Sequence, residues 1–134
     1  MIDLGLIGCG TWGRNLLRNA VAHENIRVRA VADLDEEARR SAAASTSAKA
    51  YTDLAQMLQR AELDALLIAT PSHFHFEHAR QALHAGIHVL VEKPMCMTSA
   101  EAQALVSLAD ARGLVLGGCH AHRFLDEKPM CMTS

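Results

Sequence analysis

The chain has 134 residues, 50% hydrophobic and 21% charged, with a formal net charge of -2; this is enough apolar sequence for one folded core and excludes a two-domain protein. Acidic and basic residues are interspersed without a basic stripe, which excludes nucleic acid as an expected partner. Apolar runs such as Leu63 to Ala69 are too short to cross a bilayer, no cationic leader precedes the first of them, and Cys9, Cys96, Cys119 and Cys131 show no CxxC spacing, so the expectation is a cytoplasmic protein with free thiols, no membrane partner, no disulfide framework and no zinc motif.

In chain order, apolar runs bounded by turn residues alternate with segments of helical period. A strand over Leu4 to Ile7 leads to a helix over Trp12 to Ala22, a strand over Arg27 to Ala32 to a helix over Asp35 to Ser45, and a short strand near Ala48 to Tyr51 to a helix over Leu54 to Gln59. Ala65 to Ala69, Phe74 to Ala85, His88 to Val91, Ala100 to Ala111 and Leu114 to Gly117 continue the alternation and end it on a sixth strand. Parallel strands need crossover connections, so the pattern predicts an α/β fold: a doubly wound, mainly parallel sheet of about six strands with helices on both faces. Thr52, Ser72 and Thr98 or Ser99 stand where helices need caps, and Gly86 and Gly113 where helices close with φ > 0.

The chemistry is concentrated at the predicted carboxyl ends of strands. GLIGCGTWG places Gly8, Gly10 and Gly13 in a G-x-G-x-x-G pattern directly after the first strand and at the opening of the first helix. The first glycine permits the tight turn, the second lets a pyrophosphate approach the backbone, the third lets helix and strand pack closely, and the helix N-terminus supplies amide donors. Asp33 follows the second strand, 20 residues beyond Gly13, where a carboxylate accepts from both ribose hydroxyls and repels a 2′-phosphate; NAD is expected ahead of NADP. Thr70-Pro71 and Glu92-Lys93-Pro94 follow the fourth and fifth strands at the same edge, where open α/β sheets bind ligands.

On GLIGCGTWG, the Asp closing strand two, TPSHFH, ALHAGIHVLVEKP and HAHRF, the chain resembles the N-terminal NAD(P)-binding Rossmann domain of the glucose-fructose oxidoreductase/inositol dehydrogenase (Gfo/Idh/MocA) family, over about residues 1 to 125. The resemblance implies that Gly8, Gly10, Thr11, Trp12 and Gly13 surround the pyrophosphate, that Asp33 meets the adenosine ribose, and that Thr70, Pro71 and His75 lie on the nicotinamide side. It implies that Glu92 and Lys93 form the family's EKP motif, with Lys93 the catalytic residue assisting proton transfer from the hydroxyl being oxidised, and that Arg123 lies near the same pocket. Ser72 stands where the family often has Asn, and Cys119 where a glycine is common. The implied activity is oxidation of a CH-OH group of a sugar, polyol or related substrate. Family members continue into a substrate domain that is expected to be absent here, so the chain is expected to bind dinucleotide and turn over little by itself.

The plainer readings stand beside these. His73, His75 and His78, with His120 and His122, invite a metal, yet no carboxylate or Cys lies at zincin spacing, and solvent-exposed or cofactor-facing histidines are the expectation. The MCM triplets offer soft sulfur ligands, but the first packs more naturally between strand and helix. No metal is expected. EKPMCMTS occurs at Glu92 to Ser99 and again at Glu127 to Ser134; only the first copy has a strand before it and a helix after it, so Lys128 is expected to have no role. Residues 1–122 are read as the dinucleotide-binding domain and 123–134 as a loosely held tail, with self-association into a homo-oligomer expected from the uncovered edge. Two other functions remain open: a stand-alone nucleotide-binding or dimerising module without redox activity, and a soft-metal protein.

Overall fold

The computed structural model describes residues 1–91 and 98–117, with Thr11, Trp12 and Ser72 described at the backbone only. In chain order the elements are β1 (Ile2–Ile7), α1 (Thr11–Ala22), β2 (Ile26–Ala32), α2 (Glu36–Ala44), β3 (Lys49–Tyr51), α3 (Leu54–Arg60), β4 (Ala65–Ile68), a 3₁₀ turn (Ser72–Phe74), α4 (His75–His84), β5 (His88–Val91), α5 (Ser99–Arg112) and β6 (Leu116–Gly117). The six strands form one sheet in the order β3-β2-β1-β4-β5-β6, and every neighbouring pair is parallel. The chain winds outward from β1 through β2 to β3, then returns to place β4 on the other side of β1. The turns leaving β1 and β4 therefore diverge, opening a crevice at their carboxyl ends.

Two cores flank the sheet. On one face Leu16, Leu17 and Ala20 of α1 and Ala42 of α2 pack on Leu4, Leu6, Val28, Val31 and Leu67. On the other, Leu54 and Met57 of α3, Ala79 and Leu83 of α4 and Leu105 and Ala109 of α5 cover Ile7, Ala30, Ala32, Leu66, Ile68 and Val89. Strands buried on both faces read as continuous apolar runs, as LLIA and HVLV do here. In β2 the alternation breaks: Leu4 pairs with Val28 but Gly5 with Ala30, so Arg29 is an extra residue. Ile26 and Val28 face the α1 core, whereas Ala30 and Ala32 face the α3 core, a change of phase that the bulge produces.

Helix ends agree with the sequence where a single residue suffices. Thr98 caps α5 in a reciprocal box with Glu101, and Gly86 and Gly113 close α4 and α5 at φ +82° and +66°. Two expected caps are displaced. Asp53, not Thr52, caps α3 by accepting from the Gln56 N–H at 2.8 Å, while Thr52 donates its own N–H to Gln56 Oε1. The segment after Pro71 winds as a 3₁₀ turn, so α4 begins at His75 without a side-chain cap instead of being capped by Ser72.

Candidate dinucleotide site

The glycine turn is built by close approach. Gly8 has φ +97°, and a Cβ there would stand 2.6 Å from the carbonyl carbon of Ala69; a Cβ on Gly13 would stand 1.9 Å from the Gly8 oxygen. Any side chain at either position forces β1, β4 and α1 apart. A Cβ on Gly10 would meet nothing within 4 Å, so the space above the second glycine is open. Helix α1 starts beside it with no side-chain cap and no acidic residue in its first turn. Its leading amides are left to an anionic ligand, which the helix dipole also favours.

Asp33 faces this turn and is fixed on three sides. Its Oδ2 accepts from the Cys9 N–H at 2.7 Å, its Oδ1 accepts from the Asp35 N–H at 2.8 Å, and its backbone carbonyl accepts from Arg39 Nη1 at 2.9 Å. Each carboxylate oxygen keeps a further lone pair for a ribose hydroxyl. Cys9 is fully buried behind the turn, with its thiol directed to the Ala32 carbonyl. Burial and, second, the neighbouring Asp33 push that thiol up to about 12, so it stays protonated and acts as packing, not as a nucleophile.

Thr70, after β4, forms the opposite wall. His75 Nε2 donates to the Thr70 carbonyl at 2.7 Å, and His78 Nδ1 lies 3.0 Å from the Thr70 hydroxyl. His75 is 3% exposed and its Nδ1 is buried without a partner among the described residues. It lies beneath the wall and does not line the cleft, whereas His78 does. Burial and then the nearby His75 hold His78 below the ordinary histidine value, against the pull of Glu77. Phe74 stacks on His78, ring centres 5.7 Å apart and planes within 17°.

Together these walls enclose a cleft of about 590 Å³ that brings Gly8, Gly10, Gly13, Asp33, Thr70 and Pro71 into one surface. The cleft also uses His78, weighed from the sequence as a metal ligand or as a solvent-exposed or cofactor-facing histidine, and Leu34, Phe74 and Thr52 to Leu54 after β3, which no sequence feature assigned to a site. Leu34 and Phe74 are 79% and 44% exposed; an apolar residue directly after Asp33, and an aromatic one turn before a histidine in HFHFEH, were the available signals. Thr11 and Trp12 are the first two residues of α1, after Gly10. Glu92, Lys93 and Arg123 lie outside the described residues. Among the described residues no three of His, Cys, Asp and Glu converge as a metal site would require, and no helix is long and apolar enough to cross a membrane.

An uncapped helix start over open glycine space, with a fixed carboxylate at the end of the next strand, is the arrangement of a dinucleotide-binding Rossmann domain. Residues 2–120 match the model of the GFO_IDH_MocA oxidoreductase family, NAD-binding Rossmann fold, and the chain belongs to that family. It is 37% identical over 121 residues to UDP-N-acetylglucosamine 3-dehydrogenase of Acidithiobacillus ferrooxidans, covering 89% of this chain and 37% of that protein. The WlbA dehydrogenase of Bordetella pertussis, solved with NADH and UDP-GlcNAcA, superposes with a TM-score of 0.82 at 33% identity, over 87% of this chain and 36% of that one. A 3-ketoreductase from Actinomadura kijaniata, solved with TDP-benzene and NADP, superposes with a TM-score of 0.83 at 28% identity, over 87% and 38%. The chain thus spans a little over a third of the length of these relatives.

Proposed function

We propose that the chain holds NAD(H) in preference to NADP(H), as the cofactor domain of an oxidoreductase that acts on a CH-OH group of a sugar, polyol or nucleotide-linked sugar. The observation that carries the cofactor preference is Asp33: a carboxylate locked by the Cys9 and Asp35 amides cannot swing away from a 2′-phosphate. The residues fit the cofactor on the chain's own geometry, with open space over Gly10 and free amides at the start of α1. In this reading residues 1–122 are the dinucleotide-binding unit and 123–134 a tail.

When bound, nicotinamide supplies the hydride-accepting chemistry. Gly8, Gly10, Thr11, Trp12 and Gly13 hold the pyrophosphate, Asp33 orients the ribose, and Thr70 and Pro71 position the reacting half, with His75 and His78 holding Thr70 in place. Glu92, Lys93 and Arg123 complete the site, Lys93 moving the proton of the substrate hydroxyl. The substrate class draws support from the nucleotide-linked sugars named for the dehydrogenases of Acidithiobacillus and Bordetella.

The sole indole, Trp12, is the second residue of α1, between Gly10 and Gly13, so NADH is expected to quench its emission and sensitise nicotinamide emission, with NADPH binding at least about tenfold more weakly, a difference of about 1.4 kcal/mol. Asp33→Ala should narrow that gap. No spectral change at millimolar NADH would remove the cofactor reading, and an unchanged gap in the variant would remove Asp33 from it.

A further inference from the structure

A second cleft, of about 700 Å³, opens along the edge strand β3, lined by the amino half of β2, by Lys49 and Tyr51 of β3 and by the end of α3. Arg27, Arg29, Lys49 and Arg60 line it, with Glu62 as its lone carboxylate. These cations are scattered in sequence, and three features of the fold gather them. The β2 bulge inserts Arg29; Lys49 starts the edge strand beside Ala30; and Arg60 ends α3 directly above. Asp3 anchors Arg27 through Nε at 2.8 Å, leaving both Nη groups to donate elsewhere. The Asp3 carboxylate also acts on Arg29; among the described residues no side-chain hydrogen bond or close ion pair holds Arg29, Lys49 or Arg60. Tyr51 lines the same cleft, its ring packed in the core with Leu54 and Met57.

We propose that this cleft is a second ligand site, taking a small phosphate-bearing anion. Guanidinium and ammonium groups only donate. Even with Asp3 paired to Arg27 and Glu62 in the lining, cations outnumber carboxylates here in a chain of net charge -2, and a pocket of such donors matches an acceptor-rich dianion or polyanion. The volume is that of a small-molecule site, about 300–1,000 Å³, and leaves room beyond a single orthophosphate for a phosphate ester or a pyrophosphate. The charges converge in one cleft instead of running as a stripe, so the occupant is a small molecule and not a nucleic acid.

Inorganic pyrophosphate is the probe, titrated calorimetrically into the full chain at low ionic strength, with and without saturating NADH to account for the glycine turn. Binding should persist with NADH present. The double variant Arg29→Gln/Arg60→Gln should weaken it about tenfold or more, and Tyr51→Phe should weaken it severalfold while keeping the ring. Arg40→Gln, which removes an exposed cation paired with Glu36 outside the cleft, should leave it unchanged. The proposal is overturned if pyrophosphate binding disappears when NADH is added, if the double variant binds as the parent does, or if Arg40→Gln weakens binding equally. Tighter binding of RNA or anionic vesicles than of pyrophosphate would also overturn it.

Discussion

Thr70 is gripped from two directions by histidines one turn apart on α4, the carbonyl by His75 and the hydroxyl by His78. His75 acts through Thr70 and is a positioning residue, whereas His78 also presents its ring to the cleft. Sequence spacing put both on one helical face, but could not say which would be buried. The pH consequence belongs to His78, whose folded value lies below 6.5. The unfolded chain binds this proton more readily, so stability is fully present above about pH 6.5 and is lost as pH falls toward the folded value. His78→Gln should flatten the decline in melting temperature between pH 7 and 5 relative to the parent chain. An identical slope in the two proteins would show that His78 does not contribute to it.

At the scale of elements, the strands and helices were legible because each carries its own period and punctuation. LLIA and HVLV are apolar on both faces, α2 opens on Asp35, and α5 opens on Thr98 with Glu101 three residues later. The errors fell where two residues compete for one role. Asp53 displaces Thr52 as a cap because its carboxylate reaches the Gln56 amide, and the 3₁₀ turn after Pro71 moves the start of α4 beyond Ser72. Only Leu105 and Ala109 of α5 are buried, so its cap matters to its stability. Thr98→Ala should cost about 1 kcal/mol, measured as a lower urea midpoint with an unchanged slope. Glu101→Gln, which keeps an acceptor for the Thr98 amide, should cost less.

For the whole molecule, the strand order decides where chemistry can occur. Placing β4 beside β1 brings Ala69 and Thr70 against Gly8, and the divergence of those two turns makes the cleft. A ligand that binds only the folded state stabilises it by mass action, so NADH at a hundredfold excess over its dissociation constant should add about 2.7 kcal/mol, read as a raised melting temperature. The same excess should raise it equally when pyrophosphate occupies the cleft beside β3. Competition between the two ligands would place them in one site.

Local sequence determined the α/β class, the glycine turn and the acidic residue that closes β2, because turn geometry, hydrophobic period and the 20-residue spacing from Gly13 to Asp33 are properties of short stretches of chain. Tertiary structure alone decided that the Cys9 amide holds the Asp33 carboxylate, that His75 lies under the wall while Phe74 and His78 face the cleft, and that four interspersed cations meet at one edge of the sheet. The physical reason is that these contacts depend on strand order, on one inserted residue in β2 and on which side of a helix meets the core. Those features are set by packing between segments far apart in the chain, which no local pattern records.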